Sequence, residues 1–398
     1  MTPSHPPLSR WLVLLMACAT GLSVGANYYN QPLLHSIASQ FGLSFAGAGI
    51  VVTTAQLSYA AGLLLLVPLG DLLERRRLIV AMTLLAAAGL ALSATAGSLA
   101  WLLVGTAVTG LFSVVAQVLV PFAATLAPEH SRGRVVGTVM SGLLLGILLA
   151  RTVAGALSEV GDWRTVYAIA SGVMLVLALA LWRALPRYRR TVGLAYPQLI
   201  VSVFRLFGQE PLFRLHTLLG ALGFAAFALF WTPLAFLLSA EPYAYSDGAI
   251  GLFGLAGALG ALGANVAGRL ADGGRGRLAV SVALLTTAAA WLPLALAPHS
   301  LAALLVGILM LDLAVQLGHV SNQNIIYRLQ PEARSRLNAG YMTGYFIGGS
   351  LGSLASASLY QLAGWTGVCL AGLAVGALAL VVWYAWRPRL PAAVGRRA

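Results

Sequence analysis

Four polar residues share one face of a long apolar stretch, and they are the side chains best suited to chemistry. Asp312 lies 11 residues past Leu301, where the stretch begins, or about 16 Å along a helix that rises 1.5 Å per residue. The others follow at i+4, i+7 and i+11, which places them on the same side of a helix; they are Gln316, His319 and Gln323. This face could bind a proton or a cationic group at Asp312, with His319 assisting proton movement. The alternative is structural: both side chains simply hydrogen-bond to neighbouring helices.

Arg151 is a second candidate because it is the one arginine deep inside an apolar run. It lies 16 residues past Val135, about 24 Å along a helix. Its guanidinium could pair with Asp312, bind an anionic substrate, or extend outward and seal one end of the molecule. The position 202 residues later is the uncharged Ser353. A hydrogen bond between helices is the structural alternative for Arg151.

Amide and aromatic side chains within other apolar runs form a third group. Three of the amides follow the spacing i, i+3, i+4 and share a helix face. Such groups suit an organic ligand with polar and apolar parts, although tyrosines also favour the membrane surface without binding anything. The group comprises Asn27, Tyr28, Asn30 and Gln31 in the first run, Gln117 in the fourth and Trp231 in the seventh.

The composition indicates which elements position these groups. Of 398 residues, 59% are hydrophobic, 9% are charged, and the mean hydropathy is +0.87; soluble domains are about 45–50% apolar. The apolar runs recur at about 20 residues, enough to cross a hydrocarbon core of about 30 Å as a helix. The net charge of +13 comes from arginines in short loops, a pattern typical of a bilayer rather than of nucleic-acid binding. Cys18 and Cys369 lie inside apolar runs, so we expect no metal site and no cofactor.

Twelve apolar runs can be counted, six on each side of a basic connection. We therefore predict an all-α polytopic membrane protein with twelve transmembrane helices in two pseudo-symmetric six-helix bundles, residues 1–182 and 212–398. In the linker, 183–211, the spacing of Leu199, Val203, Phe204 and Phe207 predicts a short helix on the membrane surface; a disordered tether is the alternative. The predicted runs are 11–34, 45–69, 78–96, 99–126, 135–157, 165–182, 212–238, 250–270, 278–297, 301–327, 337–362 and 368–386.

An internal repeat relates the two halves. The segment PEHSRGRVVGTVMSGLLLG from Pro128 is similar to PEARSRLNAGYMTGYFIGG from Pro331, and Gly142 and Gly146 recur as glycines 202 positions later. Parallel repeats of this kind build secondary transporters. Nearly all arginines outside the runs fall on one side, which predicts that both termini face the cytoplasm.

Two charged loops at matching places carry a resemblance to a known family. GDLLERRR at 70–77 and GRLADGGRGR at 268–277 are similar to the signature loop G-x-L-A-D-R-x-G-R-R of the major facilitator superfamily. Together with the repeat and the basic linker, the resemblance extends over essentially the whole chain. It implies that the loop acids and arginines form a gate at the cytoplasmic side. The residues matching this gate are Asp71, Arg75, Arg76, Arg132, Arg134, Asp272, Arg275, Arg334 and Arg336.

Within that family, the segments ANYYNQPLLHSIASQFG and LLLGILLARTVAG look like a bacterial branch of uncharacterised drug and metabolite exporters. The drug-antiporter motif G-P-x-x-G-G is interrupted, since Ile147 follows Gly146. The resemblance implies a monomeric secondary active transporter in the cytoplasmic (inner) membrane that exports a small organic solute by alternating access, coupled to protons. Proton-linked or facilitative uptake of a sugar or organic acid is the alternative. An integral membrane enzyme is remote, because the 11 acids lie almost entirely in loops.

Overall fold

The computed structural model describes residues 9–128, 131–189, 195–258, 275–330 and 333–386, and these ranges are almost entirely helical. The helices before the linker are α1 (Arg10–Gly25), α2 (Asn30–Phe41), α3 (Phe45–Leu65), α4 (Arg75–Ala94), α5 (Leu99–Phe112), α6 (Val115–Leu126), α7 (Arg132–Ser158) and α8 (Trp163–Ala184). The linker contains α9 (Tyr196–Gln209). After it come α10 (Pro211–Trp231), α11 (Leu234–Ser239), α12 (Asp247–Ala258), α13 (Gly276–Ala289), α14 (Trp291–Ala295), α15 (Leu301–Ile326) and α16 (Arg334–Trp386).

The helices form twelve crossings of a membrane, as the sequence predicts. Ten helical segments in the described ranges are long and apolar enough to span. One of them, α16, consists of two helices joined by a kink at Gly364, where φ is +61°; its 53 residues provide two crossings, since one crossing needs about 20 residues. α12 is a shorter apolar helix at the place of the remaining predicted run, 250–270, and residues 259–274 of that region lie outside the described ranges. The predicted all-α, twelve-span architecture is confirmed.

Short polar side chains start several of these helices. Ser44 accepts a hydrogen bond from the Gly47 N–H, and Ser98 accepts one from the Trp101 N–H. The Asp162 side chain accepts from the N–H groups of two residues in the first turn of α8, and the Asp162 N–H donates to the Thr165 hydroxyl oxygen. These caps satisfy amide groups that the first helical turn leaves without partners.

The linker helix α9 packs on the second half of the chain and is bonded to the first. Leu199, Val203 and Leu206 are its buried side chains. Phe204, which the sequence predicts on the same helix face, is 57% exposed. The buried face includes Leu206 instead. The Tyr196 hydroxyl donates to the Leu65 carbonyl at the end of α3 at 2.7 Å.

The two halves contact each other closely at the end of the molecule opposite the linker. We call this the loop end; it contains residues 42–44, 159–162 and 240–246. The Ser36 hydroxyl donates to the Asp247 carboxylate, and the Gly248 N–H donates to Glu159 Oε1 at 2.9 Å. The Ala46 N–H donates to the Gln361 side chain at 3.2 Å. The loop end is therefore closed by hydrogen bonds between the halves.

Glycines allow α1 and α7 to approach until their backbones touch. A Cβ added at Gly146 would lie 2.2 Å from the Gly21 carbonyl oxygen, and one at Gly142 would lie 2.3 Å from the Ala17 carbonyl oxygen. Close approach through small residues is a common basis of helix packing in membranes. Another glycine on the same helix, Gly137, faces open space, with no atom of the described residues within 4 Å of an added Cβ.

We expect Gly146→Ala to destabilise the protein, because the methyl group would push two backbones apart; overpacking of this kind costs about 1–3 kcal/mol. Gly137→Ala is the matched control on the same helix and should be neutral or slightly stabilising, since alanine favours the helix by about 1 kcal/mol. Thermal unfolding of the purified variants in one detergent measures both. Equal midpoints for the two variants would contradict the proposed packing.

Glu159 is expected to help hold the loop end closed. Hydrogen bonds from Ser246 and from the Gly248 N–H hold the pKa of Glu159 below its ordinary value. A lowered carboxylate pKa contributes stability that is complete at neutral pH and is lost as the pH falls below the ordinary glutamate value of about 4.3. Glu159→Gln should remove the charge and shift the loop end toward open conformations.

Spin labels at the exposed positions 160 and 240 would report this by electron–electron resonance distance measurements. We expect longer distances for Glu159→Gln at pH 7 than for the parent. Asp162→Asn is the control, because Asp162 caps α8 and pairs with Arg164 within the first half. An unchanged distance distribution in Glu159→Gln would show that the contact does not hold this end closed.

Candidate functional site

A cavity between the two halves brings together the charged residues singled out from the sequence. It contains about 530 Å³ not filled by protein atoms, including space open to solvent. Arg151 of α7 and Asp312 of α15 both line it, although they come from different halves of the chain. The remaining lining residues are Tyr28, Leu144, Ile147, Leu148, Phe224, Phe227, Gly257, Val315, Gln316 and Tyr345.

Arg151 is buried against a carbonyl oxygen and aromatic rings. Its Nε donates to Gln31 Oε1 at 2.5 Å, and its guanidinium carbon lies 4.1 Å from the ring centroid of Trp231 and 5.0 Å from that of Tyr28. A cation over an aromatic face gains about 2 kcal/mol or more when water is excluded. Its Nη2, by contrast, is buried without a hydrogen-bond partner among the described residues. The guanidinium is thus held in place with one donor left unused.

Asp312 is also buried, and its partner is an indole. The Trp231 Nε1–H donates to Asp312 Oδ1 at 3.1 Å. Within the described chain, Asp312 and Arg151 form no ion pair, which means that their charged atoms lie more than 4.0 Å apart. Trp231 therefore connects the two charges, with the cation over its face and the carboxylate at its N–H. Of the three alternatives for Arg151, a direct pair with Asp312 does not form in this arrangement.

Interruptions in two helices position these side chains. The first span breaks at residues 26–29, between α1 and α2, and the seventh breaks at residues 232–233, between α10 and α11. A proline follows or lies at each break, Pro32 and Pro233, and proline cannot donate the backbone hydrogen bond of a continuous helix. Tyr28 lies in the first break and Trp231 immediately before the second. Discontinuous spans at matching places in two repeats are typical of binding sites in secondary transporters.

The other polar residues on the face of α15 divide between three environments. Gln316 lines the central cavity beside Asp312. His319 Nδ1 lies 3.1 Å from the Tyr341 hydroxyl, and its ring is 4.6 Å from that of Tyr345. Gln323 contacts the Asn338 side chain at 3.4 Å. His319 and Gln323 are thus occupied by neighbouring polar groups of the second half.

Gln117 joins this network from the first half. Its Oε1 accepts a hydrogen bond from Asn338 Nδ2 at 3.3 Å, and the Tyr327 hydroxyl contacts Asn338 Oδ1 at 2.6 Å. Asn338 connects two amides predicted from sequence, Gln117 and Gln323. It is a polar contact between the halves, on the linker side of the cavity.

Asn27 and Asn30 face a different space from Gln31. Together with Thr106, Thr109 and other residues of the first half they line a small separate cavity of about 230 Å³, again counting space open to solvent. Both amide atoms of Asn27 and Oδ1 of Asn30 are buried without partners in the described structure. The common face expected for the three amides is divided because the helix is interrupted at residues 26–29.

Asp71 and Arg75 of the expected gate contact each other within the first half. Arg75 Nη2 lies 3.5 Å from Asp71 Oδ1, while its Nε donates to the Gly70 carbonyl at 3.0 Å. Its guanidinium also packs near the rings of Phe122 and Tyr188. Arg76 lies over the Trp182 ring at 4.2 Å. This cluster joins the loop between α3 and α4 to α6, α8 and the start of the linker.

The remaining gate residues lie apart from this cluster or outside the described ranges. Arg334 is exposed, with Nε donating to the Tyr327 carbonyl at 3.3 Å. Arg336 is half-buried. Asp272 lies outside the described residues. The exposed members of the set at the starts of later helices are Arg132, Arg134 and Arg275.

Several aromatic residues that line the cavity were not predicted from the sequence. Phe224 and Phe227 precede Trp231 on α10 at spacings that put all three on one helix face, a signal that was present in the sequence. Phe224 stacks on Tyr345 of α16, with ring centroids 4.2 Å apart. Tyr345 and Asn338 gave no such signal, since their roles depend on how α16 packs. Among the described residues there is no group of three His, Cys, Asp or Glu side chains that could hold a metal.

Comparisons with known proteins agree with this architecture. The family model of the Major Facilitator Superfamily matches residues 16–327 and 266–397. The "Putative uncharacterized transporter YgaY" of Escherichia coli K12 is 58% identical over 97% of this chain and 98% of its own length. A "Probable sugar efflux transporter" of Helicobacter pylori G27 is 27% identical over 39% of this chain and 40% of its own.

The fold is also that of solved transporter structures. The structure of a bacterial homolog of the human lysosomal transporter Spinster, described as inward-facing and unoccupied, superposes with a TM-score of 0.77 at 17% identity, covering 94% of this chain and 96% of the other. Likeness at this identity concerns the fold alone. The matches to the family model and to YgaY go further. The chain belongs to the Major Facilitator Superfamily and is a multi-pass membrane transporter of a small solute, not an enzyme.

Proposed function

We propose that this transporter exports a small organic solute in exchange for protons, with the central cavity as the solute site and Asp312 as the coupling carboxylate. One observation carries the proposal: a carboxylate and a guanidinium from different halves face a single cavity without pairing with each other. Intramembrane charges are costly, about 2.5–3.5 kcal/mol or more each, and they usually mark ion or substrate pathways.

Asp312 is suited to proton coupling by its position. It is buried, and Trp231 donates to one of its oxygens. Loss or gain of its proton changes the net charge of the cavity, and a charge change between the two halves can favour one arrangement of the bundles over the other. His319, which contacts Tyr341, is a candidate second proton carrier close to the same path.

The direction of transport is proposed from similarity to another transporter. Export is favoured by the partial likeness to the Helicobacter pylori protein named a probable sugar efflux transporter. Arg151, with a buried unpartnered donor, favours an anionic group on the solute. Proton-linked uptake of an organic acid is therefore the second candidate, and the direction of proton movement distinguishes the two.

We further propose that both chain ends face the cytoplasm, since the arginine-rich loops lie on that side, and that the unit is a monomer.

The charged loop at residues 70–77 is proposed as part of a cytoplasmic gate. Asp71 is only partly exposed and lies 3.5 Å from Arg75, and Arg75 is the first residue of α4. A carboxylate near a helix N-terminus is stabilised by the helix dipole. The pair fixes the loop that must move if the linker end opens and closes.

Asp312→Asn should abolish coupling, because an amide cannot release or accept the transported proton. In proteoliposomes with a trapped pH dye, we expect addition of a transported solute to change lumenal pH with the parent protein and to leave it at the level of protein-free liposomes with the variant. A panel of sugars, amino acids, aromatic acids and cationic dyes supplies the solute. Asp162→Asn, which changes an acid at the loop end, is the control and should keep the parent response. Normal proton movement in Asp312→Asn would refute the proposed role.

Asp71→Ala should slow transport while leaving membrane insertion intact, because the loop arginines that set topology are unchanged. Asp71→Glu keeps the charge and should retain more activity than the alanine variant. Initial rates of solute uptake into inverted vesicles, divided by the amount of inserted protein, provide the comparison. Normal turnover in Asp71→Ala would indicate that residues 70–77 only set the orientation of the chain in the membrane.

A further inference from the structure

We infer that the solute is a small zwitterion, a molecule with an anionic and an ammonium group on a compact apolar body. This inference deepens the proposed function and rests on the central cavity being the solute site. It starts from the separation of Arg151 and Asp312. Both are buried, both line the same cavity, and in the described structure more than 4.0 Å separates their charged atoms.

The guanidinium side is arranged to receive a carboxylate. Arg151 Nε is bonded to Gln31 Oε1, which fixes the two side chains relative to each other. Each then has a buried donor without a partner among the described residues, Arg151 Nη2 and Gln31 Nε2. Buried polar groups are normally hydrogen-bonded, and those that are not call for an explanation such as an absent ligand. An anionic group with two oxygens is the best acceptor for guanidinium and amide N–H donors.

The carboxylate side is arranged to receive an ammonium group. The Trp231 Nε1–H donates to Asp312 Oδ1 at 3.1 Å, whereas none of the hydrogen bonds between described residues uses Oδ2. That oxygen points toward α12, where a Cβ added to Gly257 would lie only 2.4 Å from it. The absence of a side chain at Gly257 therefore lets Oδ2 lie against α12. An ammonium group carries three donors and no acceptor, which matches a carboxylate oxygen with free acceptor capacity.

Most of the other residues that line the cavity are aliphatic or aromatic. Phe227 lies 5.5 Å from the Arg151 guanidinium carbon, and Phe224 stacks on Tyr345. A solute with one charge would leave the other buried protein charge without an opposite charge beside it, which is costly. A solute with no charge would leave both uncompensated. A zwitterion satisfies Arg151 and Asp312 together and places its apolar part against the rings.

The test uses probes that differ by one charged group each. Phenylalanine is the zwitterion, 2-phenylethylamine lacks the carboxylate, and 3-phenylpropionate lacks the ammonium group. Leucine, isopentylamine and 4-methylpentanoate repeat the series with an aliphatic body. Binding to the purified full-length protein is measured at pH 7 by calorimetry or by competition, without any proton gradient. The readout is therefore independent of proton coupling and direction.

At least one zwitterion should bind about 10- to 100-fold more tightly than both of its single-charge relatives, because each lost charge removes a charge-assisted contact. Arg151→Gln should reduce the zwitterion to the affinity of the amine, and Asp312→Asn should reduce it to that of the acid. Size-exclusion profiles and melting temperatures check the folding of both variants.

Two results would overturn the inference, and both come from the parent protein alone. One is the absence of binding by both phenylalanine and leucine. The other is a single-charge probe that binds as tightly as its zwitterion. If zwitterions bind as expected but move no protons in proteoliposomes, the coupling proposal fails and the substrate class stands.

Discussion

Two opposite charges that do not touch each other are buried at the centre of the molecule, and the surrounding helices are arranged to hold them. Arg151 and Asp312 come from different halves of the chain and face one cavity. At an effective dielectric constant of about 20, unit charges more than 4 Å apart attract by less than about 4 kcal/mol. This is of the same order as the cost of placing either one in the membrane. Additional contacts must therefore hold each charge.

Those contacts explain the local structure around the cavity. Trp231 can lie against the guanidinium and donate to Asp312 because the seventh span is interrupted directly after it. Gln31 can reach Arg151 because the first span is interrupted at residues 26–29. In a membrane, irregular backbone is tolerated where it lines a cavity or is covered by protein. The helix interruptions therefore position the partners of the two charges, and the cavity that the charged residues line in turn permits the interruptions.

The contacts between the halves differ along the length of the molecule. At the loop end they are close, with Gly155 near the Asp247 carbonyl and Gly49 against Ala357, and hydrogen bonds such as that from Gly248 to Glu159 add to them. Toward the linker end, Asn338 and Gln117 meet through side chains. Small residues permit sliding and separation of helices more readily than interlocked large ones. Such an interface is suited to rocking of two bundles around a central site.

Much of the fold could be predicted because it depends on the lengths of the apolar runs in the sequence. The apolar runs, the repeat at a spacing of 202 residues and the arginine-rich loops together predict twelve spans in two halves. Asp312 and Arg151 could also be found, since charges are rare inside such runs. The division of Asn27 and Asn30 from Gln31 could not, because it depends on the interruption of one helix. The aromatic partner Tyr345 could not either, because its distance from Phe224 depends on how α16 packs against α10.

We propose that Asp312 and Arg151 face a water-accessible cavity whose access alternates between the two sides of the membrane. Gln316, half-buried beside Asp312, offers a direct test as Gln316→Cys in a background with Cys18 and Cys369 replaced by alanine. The measurement is its rate of reaction with a charged, membrane-impermeant thiol reagent, applied from each side in turn. We expect reaction from the linker side, slowed by a bound solute, and faster reaction from the loop side once Glu159→Gln weakens that end. Lack of reaction from either side, with the protein folded, would contradict it.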